Sequence, residues 1–446
     1  MSAVVTPDSA AGQAMHDFIA GLFPICRSLT GAGTRQTLAV IAEHLPGLRI
    51  HSVPSGTQVF DWSIPDEWNI RSARLIGPGG DVIVDFAAHN LHVVGYSEPV
   101  DEQLSLEELQ PHLHSRPDLP DAIPYVTSYY RRYWGFCMTQ RQRDQLQPGM
   151  YRAVIDSTLA PGVLNYGEIV IPGSDPREVF LSTYVCHPSM ANNELSGPAV
   201  AVWLAKWLCS APRRFTYRLV FIPETIGSIT YLSRNLERMK KLTLAGFNIS
   251  CVGDERSYSF LPSRLGNTIS DRVARHVLKH FAPDYVSYSF KDRGSDERQY
   301  CSPGVDLPVA SVMRTKYTAY PEYHTSLDDL TLVTPAGLAG ALKALQLCLE
   351  CLEANDRFTV TVKCEPQMGR RGLYPMISSG NSAGNSTVGH MMHVLAYSDG
   401  AHDLIDIADD LGVPVWGLYQ LVDKLKADGL LAASELTNKA PIPESP

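Results

Sequence analysis

VFLSTYVCHPSMANNELSGPAVAVWLAKWL, residues Val179 to Leu208, decides how the rest of the chain is read. Val179 to Val185 is an apolar run rich in Val, Phe and Tyr, which fits a central strand of a parallel sheet. Pro188 stops it. From Gly197 onward, Ala199, Val202, Trp203, Lys206 and Trp207 repeat at helical spacing. In open α/β sheets, ligands bind beyond the carboxyl ends of the strands. His187 falls in that place.

The same pattern recurs downstream. A strand over Thr216 to Ile222 ends in Pro223-Glu224, and one over Leu244 to Val252 ends in Gly253-Asp254. A strand over Leu307 to Met313 leads through a Tyr- and Pro-bearing loop to His324. His187, Glu224, Asp254 and His324 are therefore expected at one edge of one sheet. Imidazole and carboxylate are the ligands zinc takes when one position must stay open for water.

Working outward, helices are expected over Gly197 to Cys209, Gly227 to Met239, Thr268 to His280 and Pro335 to Cys351. Their alternation with strands predicts an α/β sheet sandwiched by helices. Upstream, Ser9 to Leu45 reads as two helices around a Gly-flanked turn, Cys26 to Gly33, with Thr34 as N-cap of the second. The turn could approach a ligand, but a plain interhelical connection is the favoured reading. From Ile50 to about Gln147 the chain is dense in Pro, Gly and aromatics, with short alternating runs such as Ser72 to Ile76 and Val82 to Phe86. This predicts a β-rich inserted domain, with Gly79-Gly80-Asp81 as a hairpin turn. In Tyr129-Tyr130-Arg131-Arg132-Tyr133-Trp134, an Arg, Arg131 above all, either binds a substrate carboxylate from a lid or stacks on a neighbouring ring.

After an edge strand over Phe358 to Cys364, the Gly-, Ser- and Asn-rich segment Gln367 to Gly389 reads as a linker. Helices over His390 to Tyr397, Asp403 to Asp410 and Val415 to Asp428, then Gly429-Leu430-Leu431, form a winged helix-turn-helix pattern. Its acids far outnumber Lys424 and Lys426, and its third helix starts without the Arg or Asn that reads base edges. A packing or protein-interaction module is expected, not a DNA reader.

The 446 residues allow two or three domains, and a net charge of -9 argues against general nucleic-acid binding. No apolar run is expected to span a membrane, and Met1 to Ala14 lacks the pattern of a secretory signal. Nine scattered cysteines suit free thiols in a reducing, cytoplasmic setting. Cys348 and Cys351 form a CxxC inside a helical run, where a zinc or redox role is not expected.

The order His187, Asn192-Asn193-Glu194-Leu195-Ser196-Gly197, Glu224-Thr225-Ile226-Gly227-Ser228, Asp254 and His324-Thr325-Ser326-Leu327-Asp328 resembles the zinc aminopeptidases of peptidase clan MH. Cys186-His187-Pro188-Ser189 and Pro223-Glu224-Thr225-Ile226-Gly227-Ser228 bring it closer to a bacterial subgroup with an inserted β-domain and a C-terminal winged helix. The resemblance implies a phosphorylase/hydrolase-like zinc aminopeptidase domain over 9–49 and 150–365, the insertion over 50–149, and the winged helix over 366–446. It implies metal ligands His187, Asp254, His324 and, at the metal-bridging position, Asn193. Glu224 is implied as general base or as second-metal ligand. Asn193 and Thr225 stand where the family carries carboxylates, so one zinc, or two with the second held weakly, is expected. In that family a Ser-Asp-His segment lies near the substrate; here Arg298 takes the place of that His, and Arg298 and Tyr300 are candidates for holding a carboxylate or oxyanion. Asp328 and Asp329 are read as loop or helix-start acids, one of them orienting His324. The implied activity is hydrolysis of a peptide or small aminoacyl amide. A catalytically weak peptidase-fold binding protein and a winged-helix regulator are the alternatives. The expected partners are that substrate, with no nucleic acid and no membrane, and a homo-oligomer or protein partner met through the winged helix.

Overall fold

In the computed structural model, which describes residues 6–373 and 387–434, the organising strand is Asp175–Tyr184. It lies inside an eight-stranded sheet, parallel to Phe215–Ile222 on one side and to Thr243–Asn248 on the other. Thr243–Asn248 in turn runs parallel to Val309–Met313. The four strands expected from the apolar runs thus form the parallel heart of the sheet. Val179, Phe180, Phe247 and Val309 are fully buried along it, each contributing roughly 1.5–3 kcal/mol of burial. Val163–Ile171 and Arg49–Pro54 extend the sheet antiparallel at one edge; Ser259–Leu261 and Val286–Ser287 complete the other.

Helix Ser196–Cys209 follows the organising strand and packs tightly on the sheet. A Cβ on Gly197 would lie 2.4 Å from the Ile249 carbonyl oxygen and from Thr183 Oγ1, so only glycine permits this approach. The amino-terminal helices are Ser9–Leu22, capped by Asp8, and Ala32–His44. The second departs from expectation at its start: Gly31 is the N-cap, and Thr34 lies inside the helix, donating its hydroxyl to the Ser28 carbonyl at 2.5 Å. That bond closes the intervening turn on itself.

The insertion holds a four-stranded antiparallel sheet in the order Val82–Asp85, Glu67–Ile76, Met150–Ala160, Val100–Ser105. Leu75, Phe136, Tyr151 and Ile155 fill its own small core. Met150–Ala160 belongs to this sheet, whereas Arg49–Pro54 belongs to the main one. Glu67 fastens it to helix Ala32–His44 through a bidentate pair with Arg35, at 2.7 and 2.9 Å.

The chain divides into two compact units: residues 7–271 with 284–345, just described, and a second gathering 272–283 and the chain from 346 onward. In the second, Arg357–Val360 is the middle strand between Asp399–Asp403 and Leu431–Ser434. The strand expected at an edge over Phe358 to Cys364 is therefore shorter and central. Helices Thr387–Tyr397, Leu404–Leu411 and Tyr419–Ala427 complete a winged helix. Its acids are largely paired: Asp403 takes a bidentate bond from Arg272 at 2.7 Å, and Asp409 meets His276 and Lys279. Residues 374–386, most of the expected linker, lie outside the described residues, as does the chain after 434.

Helix Pro335–Ala354 corrects one expectation. Its mean hydropathy of 1.2 makes it long and apolar enough to cross a membrane, yet 72% of the relevant window is buried inside the protein, as in a core helix. All nine cysteines are free, with Cys348 and Cys351 buried on this helix.

Candidate active site

Beyond the end of strand Asp175–Tyr184 the chain enters the turn that carries His187, reaches Ser189 in a left-handed conformation (φ +45°), and then winds one π-helical stretch, Ala191–Leu195. Asp328 seats that stretch. Its carboxylate accepts the backbone N–H groups of Ala191, Asn192 and Asn193 at 3.1, 2.5 and 2.9 Å. It also accepts the Tyr320 hydroxyl at 3.2 Å. Burial raises its pKa to about 6 against the pull of these donors. Asp328, read from the sequence as a loop or helix-start acid, thus caps the π-helical stretch that follows His187.

The π-helical turn swings Glu194 under His187. One Glu194 oxygen lies 2.6 Å from His187 Nδ1, and the other accepts the Cys186 backbone N–H. Such a carboxylate holds the ring orientation and aims Nε2 outward, an arrangement common behind metal-binding histidines. Burial works against an imidazolium here, but Cys186 and Glu194 hold the His187 pKa well above its usual range. His187 Nε2 faces Glu224 Oε2 at 3.5 Å.

From the other side, His324 sits in a left-handed conformation (φ +56°) and stacks on Tyr323. Its ring centroid is 5.4 Å from that of His187, with Tyr125 edge-on to both. Burial, then the neighbouring His187, lower its pKa to about 3, so the ring is neutral. Its buried Nε2 has no hydrogen-bond partner among the described residues. A neutral imidazole with an unused lone pair is what a metal requires.

Glu224 stands two residues past the end of the neighbouring strand, Phe215–Ile222; burial raises its pKa. Thr225 after it is left-handed (φ +63°), a conformation that costs a β-branched residue energy and persists only where the surroundings enforce it. Asp296 enforces it, accepting Thr225 N–H at 2.7 Å and the Ser228 hydroxyl at 2.8 Å. Burial and then Glu224 raise the Asp296 pKa to about 8. Arg298 donates to Thr225 Oγ1 at 2.7 Å from the opposite side.

A cavity of about 340 Å³ opens over these groups. His187, Glu224, Thr225, His324 and Arg298 line its charged floor. Trp62, Tyr125, Tyr129 and Tyr130 of the insertion wall it. The insertion is tied there: Tyr125 N–H donates to the His324 carbonyl at 2.9 Å, and Ser326 N–H to that of Ile123 at 2.9 Å. The volume is that of a small-molecule site.

Three of the sequence-derived candidates lie elsewhere. Both Asp254 oxygens are occupied, by Asn192 Nδ2, the Thr315 N–H and hydroxyl, and the Arg256 N–H, at 2.6–3.1 Å. A metal at Asp254 would have to share or displace those bonds. Tyr300 is fully buried, its hydroxyl 2.8 Å from Ser182 Oγ, and does not line the cavity. Arg131 lies over the Tyr133 ring at 4.7 Å, outside the lining, the stacking arrangement rather than the carboxylate clamp. Asn193 donates to Tyr184 OH at 2.8 Å, and its buried Oδ1 has no partner among the described residues. The side chain beside it is Cys251, whose Sγ is 4.0 Å from Asn193 Nδ2.

The sequence reading also passed over Arg27. The turn taken as a plain connection carries this buried guanidinium to the site, where Nε donates to the His187 carbonyl at 3.0 Å and Nη1 to that of Leu22 at 2.7 Å. Gly33 makes the turn tight enough: a Cβ there would lie 1.9 Å from the Cys26 carbonyl oxygen.

With this geometry in hand, similarity can be placed on it. The family model described as a domain of unknown function, DUF4910, matches residues 16–355, and a winged helix-turn-helix model matches 357–433. A protein of Clostridium acetobutylicum, provisionally named as a polysaccharide biosynthesis protein with an aminopeptidase-like domain, is 44% identical over 418 residues, 94% of this chain and 95% of its own. A crystal structure from Clostridium acetobutylicum, provisionally described as a peptidase, has a TM-score of 0.89 at 41% identity, covering 96% of this chain and 97% of its own. BSAP, a zinc aminopeptidase from Bacillus subtilis, shares the fold at a TM-score of 0.57 and 14% identity, over 77% of this chain and 95% of its own. The chain therefore belongs to the DUF4910 family, an aminopeptidase-like α/β fold followed by a winged helix.

Proposed function

We propose that the chain is a zinc-dependent amide hydrolase of the aminopeptidase type, acting on a peptide or a small aminoacyl amide. The observation that carries this is the outward aim of two imidazoles: His187, with Nδ1 tied to Glu194, and His324, with a buried, unpartnered Nε2, flank one cavity with Glu224 between strand end and solvent.

His187 and His324, whose rings face each other across the cavity, would hold one dication. Asn193, whose buried Oδ1 has no partner among the described residues, is the oxygen donor the chain would offer. Zinc there would supply Lewis acidity toward the amide carbonyl and lower the pKa of bound water. The chain's own residues do the rest. Glu224, its pKa raised by burial, takes a proton from the attacking water and returns it to the leaving amine. Glu194 and Arg27 hold His187 from behind, through its Nδ1 and its carbonyl. Asp296 and Arg298 fix Thr225, and so aim the preceding Glu224. The aromatic wall excludes water from the reacting amide. The relative's name adds polysaccharide biosynthesis as a setting, which a small aminoacyl conjugate suits.

A second reading, a peptidase-fold binding protein, draws on Asn193 and Thr225 in place of carboxylates and on the occupied oxygens of Asp254. Zinc content of the purified chain, together with turnover of a panel of aminoacyl amides before and after chelation, separates the two. Stoichiometric zinc with chelator-sensitive turnover supports the hydrolase. Zinc without turnover of any amide supports the binding protein.

A further inference from the structure

The charges around the cavity are unevenly used. Glu224 faces His187 and is engaged in the chemistry just proposed. Among the residues lining the cavity it is the one carboxylate, so no second acid stands ready to hold a substrate's free ammonium group. Arg298 is the opposite case. It is exposed, it lines the cavity, and its guanidinium makes one side-chain hydrogen bond among the described residues, from Nη2 to Thr225 Oγ1. That bond holds one edge of the group beside Thr225. Its remaining N–H donors have no acceptor among the described residues, although a guanidinium carries five. Resting on the proposed hydrolase, we infer that Arg298 is the specificity-determining residue of the site and that the substrate is an amide bearing a carboxylate on the leaving-amine side, an N-acyl amino acid or the carboxyl-terminal residue of a peptide.

The geometry agrees with the chemistry. Arg298 grips Thr225, the residue immediately after Glu224. In an N-acyl amino acid, only the amide nitrogen and one carbon separate the scissile acyl carbon from the carboxylate. A carboxylate paired with Arg298 therefore leaves the amide beside Glu224 and His187. A planar guanidinium suits bidentate recognition of that group. Leu29, Trp62, Tyr129 and Tyr130 offer an apolar and aromatic wall for the side chain. In the reaction the oxygen of water bonds to the acyl carbon and the carbon–nitrogen bond breaks. The proton removed from water goes to the amine, releasing a carboxylic acid and a free amino acid.

The competing role for Arg298 is to neutralise Glu224, and the test must tell the two apart. Calorimetric titration of the full-length, zinc-loaded chain, monitored in parallel by Trp62 fluorescence, uses three probes. N-acetyl-L-phenylalanine has the carboxylate, N-acetyl-L-phenylalaninamide lacks it, and L-phenylalaninamide carries a free amine instead. The acid should bind about tenfold or more tightly than either amide. Arg298→Gln should weaken the acid far more than the neutral probe, so that the preference disappears, and Arg298→Lys should restore part of it. Equal binding of acid and amide, or an equal loss for both in Arg298→Gln, overturns the inference. Preferred turnover of L-phenylalaninamide also overturns it, while keeping the hydrolase. Arg298-dependent binding of the acid with no turnover of any probe supports the inference and removes the hydrolase reading.

Discussion

Two histidine–carboxylate clusters in this chain look alike on paper and differ in what they leave free. In the first unit, His187 gives Nδ1 to Glu194 and presents Nε2 to a cavity. In the second, His276 gives Nδ1 to Asp409 at 3.0 Å, but its Nε2 accepts the Val415 backbone N–H at 2.9 Å. His276, His280 and Asp409 lie close enough together to suggest a metal site. Yet a neutral imidazole has one donor and one acceptor, and His276 has spent both on protein. The difference teaches where to look for function: not at how many ligand-type side chains gather, but at whether their second ring nitrogen is still unclaimed. The first cluster is built to bind something; the second fastens a helix of the winged fold.

Substitutions can break this contrast. The largest effect belongs to Glu224→Gln, which should lower turnover by about 10²–10⁴ while zinc content stays the same. Loss of zinc with loss of activity would show instead that Glu224 is a ligand. Next is Glu194→Gln, which keeps the shape but weakens the bond to His187 Nδ1. Zinc affinity should fall about 10–100-fold by competition with a chelating dye. In the second cluster, His276→Ala should leave zinc stoichiometry untouched. It strands the Val415 N–H, at a cost of about 1–3 kcal/mol in chemical denaturation. A folded His276→Ala variant that lost zinc would erase the distinction.

The smallest effect is a pH dependence. Burial pushes the Asp409 pKa up, but His276 and Lys279 more than offset it, so the carboxyl titrates below its usual range. A carboxyl with a depressed folded pKa stabilises the fold above its unfolded pKa. That contribution disappears as pH falls through the carboxylate range. Asp409→Asn should therefore melt slightly lower than wild type at neutral pH, with the two curves converging toward pH about 3. A constant gap across that range would contradict the pairing.

The strands were legible because the apolar runs are long and bounded. Val179 to Val185, rich in Val, Phe and Tyr and stopped by Pro188, fits a fully buried strand, and the structure places strand Asp175–Tyr184 inside the sheet. The ends of those strands were less legible. Asp254 reads as a strand-end acid, but its strand stops at Asn248, and Cys251 turns left-handed (φ +52°). That turn directs Asp254 to Thr315 and leaves Cys251 beside Asn193. Glu194 was read only as a substitute for the bridging carboxylate should the loop turn differently, and its pairing with His187 was hidden for a related reason. A π-helical stretch adds a residue relative to α-helical spacing, so the acid reaches His187 by a turn that periodicity does not reveal. Arg27 and Asp328 come from segments far along the chain, and local sequence patterns carry no sign that they meet the His187 loop. The acids of the winged helix read as facing only Lys424 and Lys426 because Arg272 and His276 lie more than a hundred residues upstream.

The most direct test of the account is anomalous scattering at the zinc edge, from crystals of the zinc-loaded wild type and of His187→Ala and His276→Ala. One zinc peak within bonding reach of His187 Nε2 and His324 Nε2 is predicted in the wild type. It should persist in His276→Ala and vanish in folded His187→Ala. A peak retained in His187→Ala, or one seated on His276, His280 and Asp409, would contradict it.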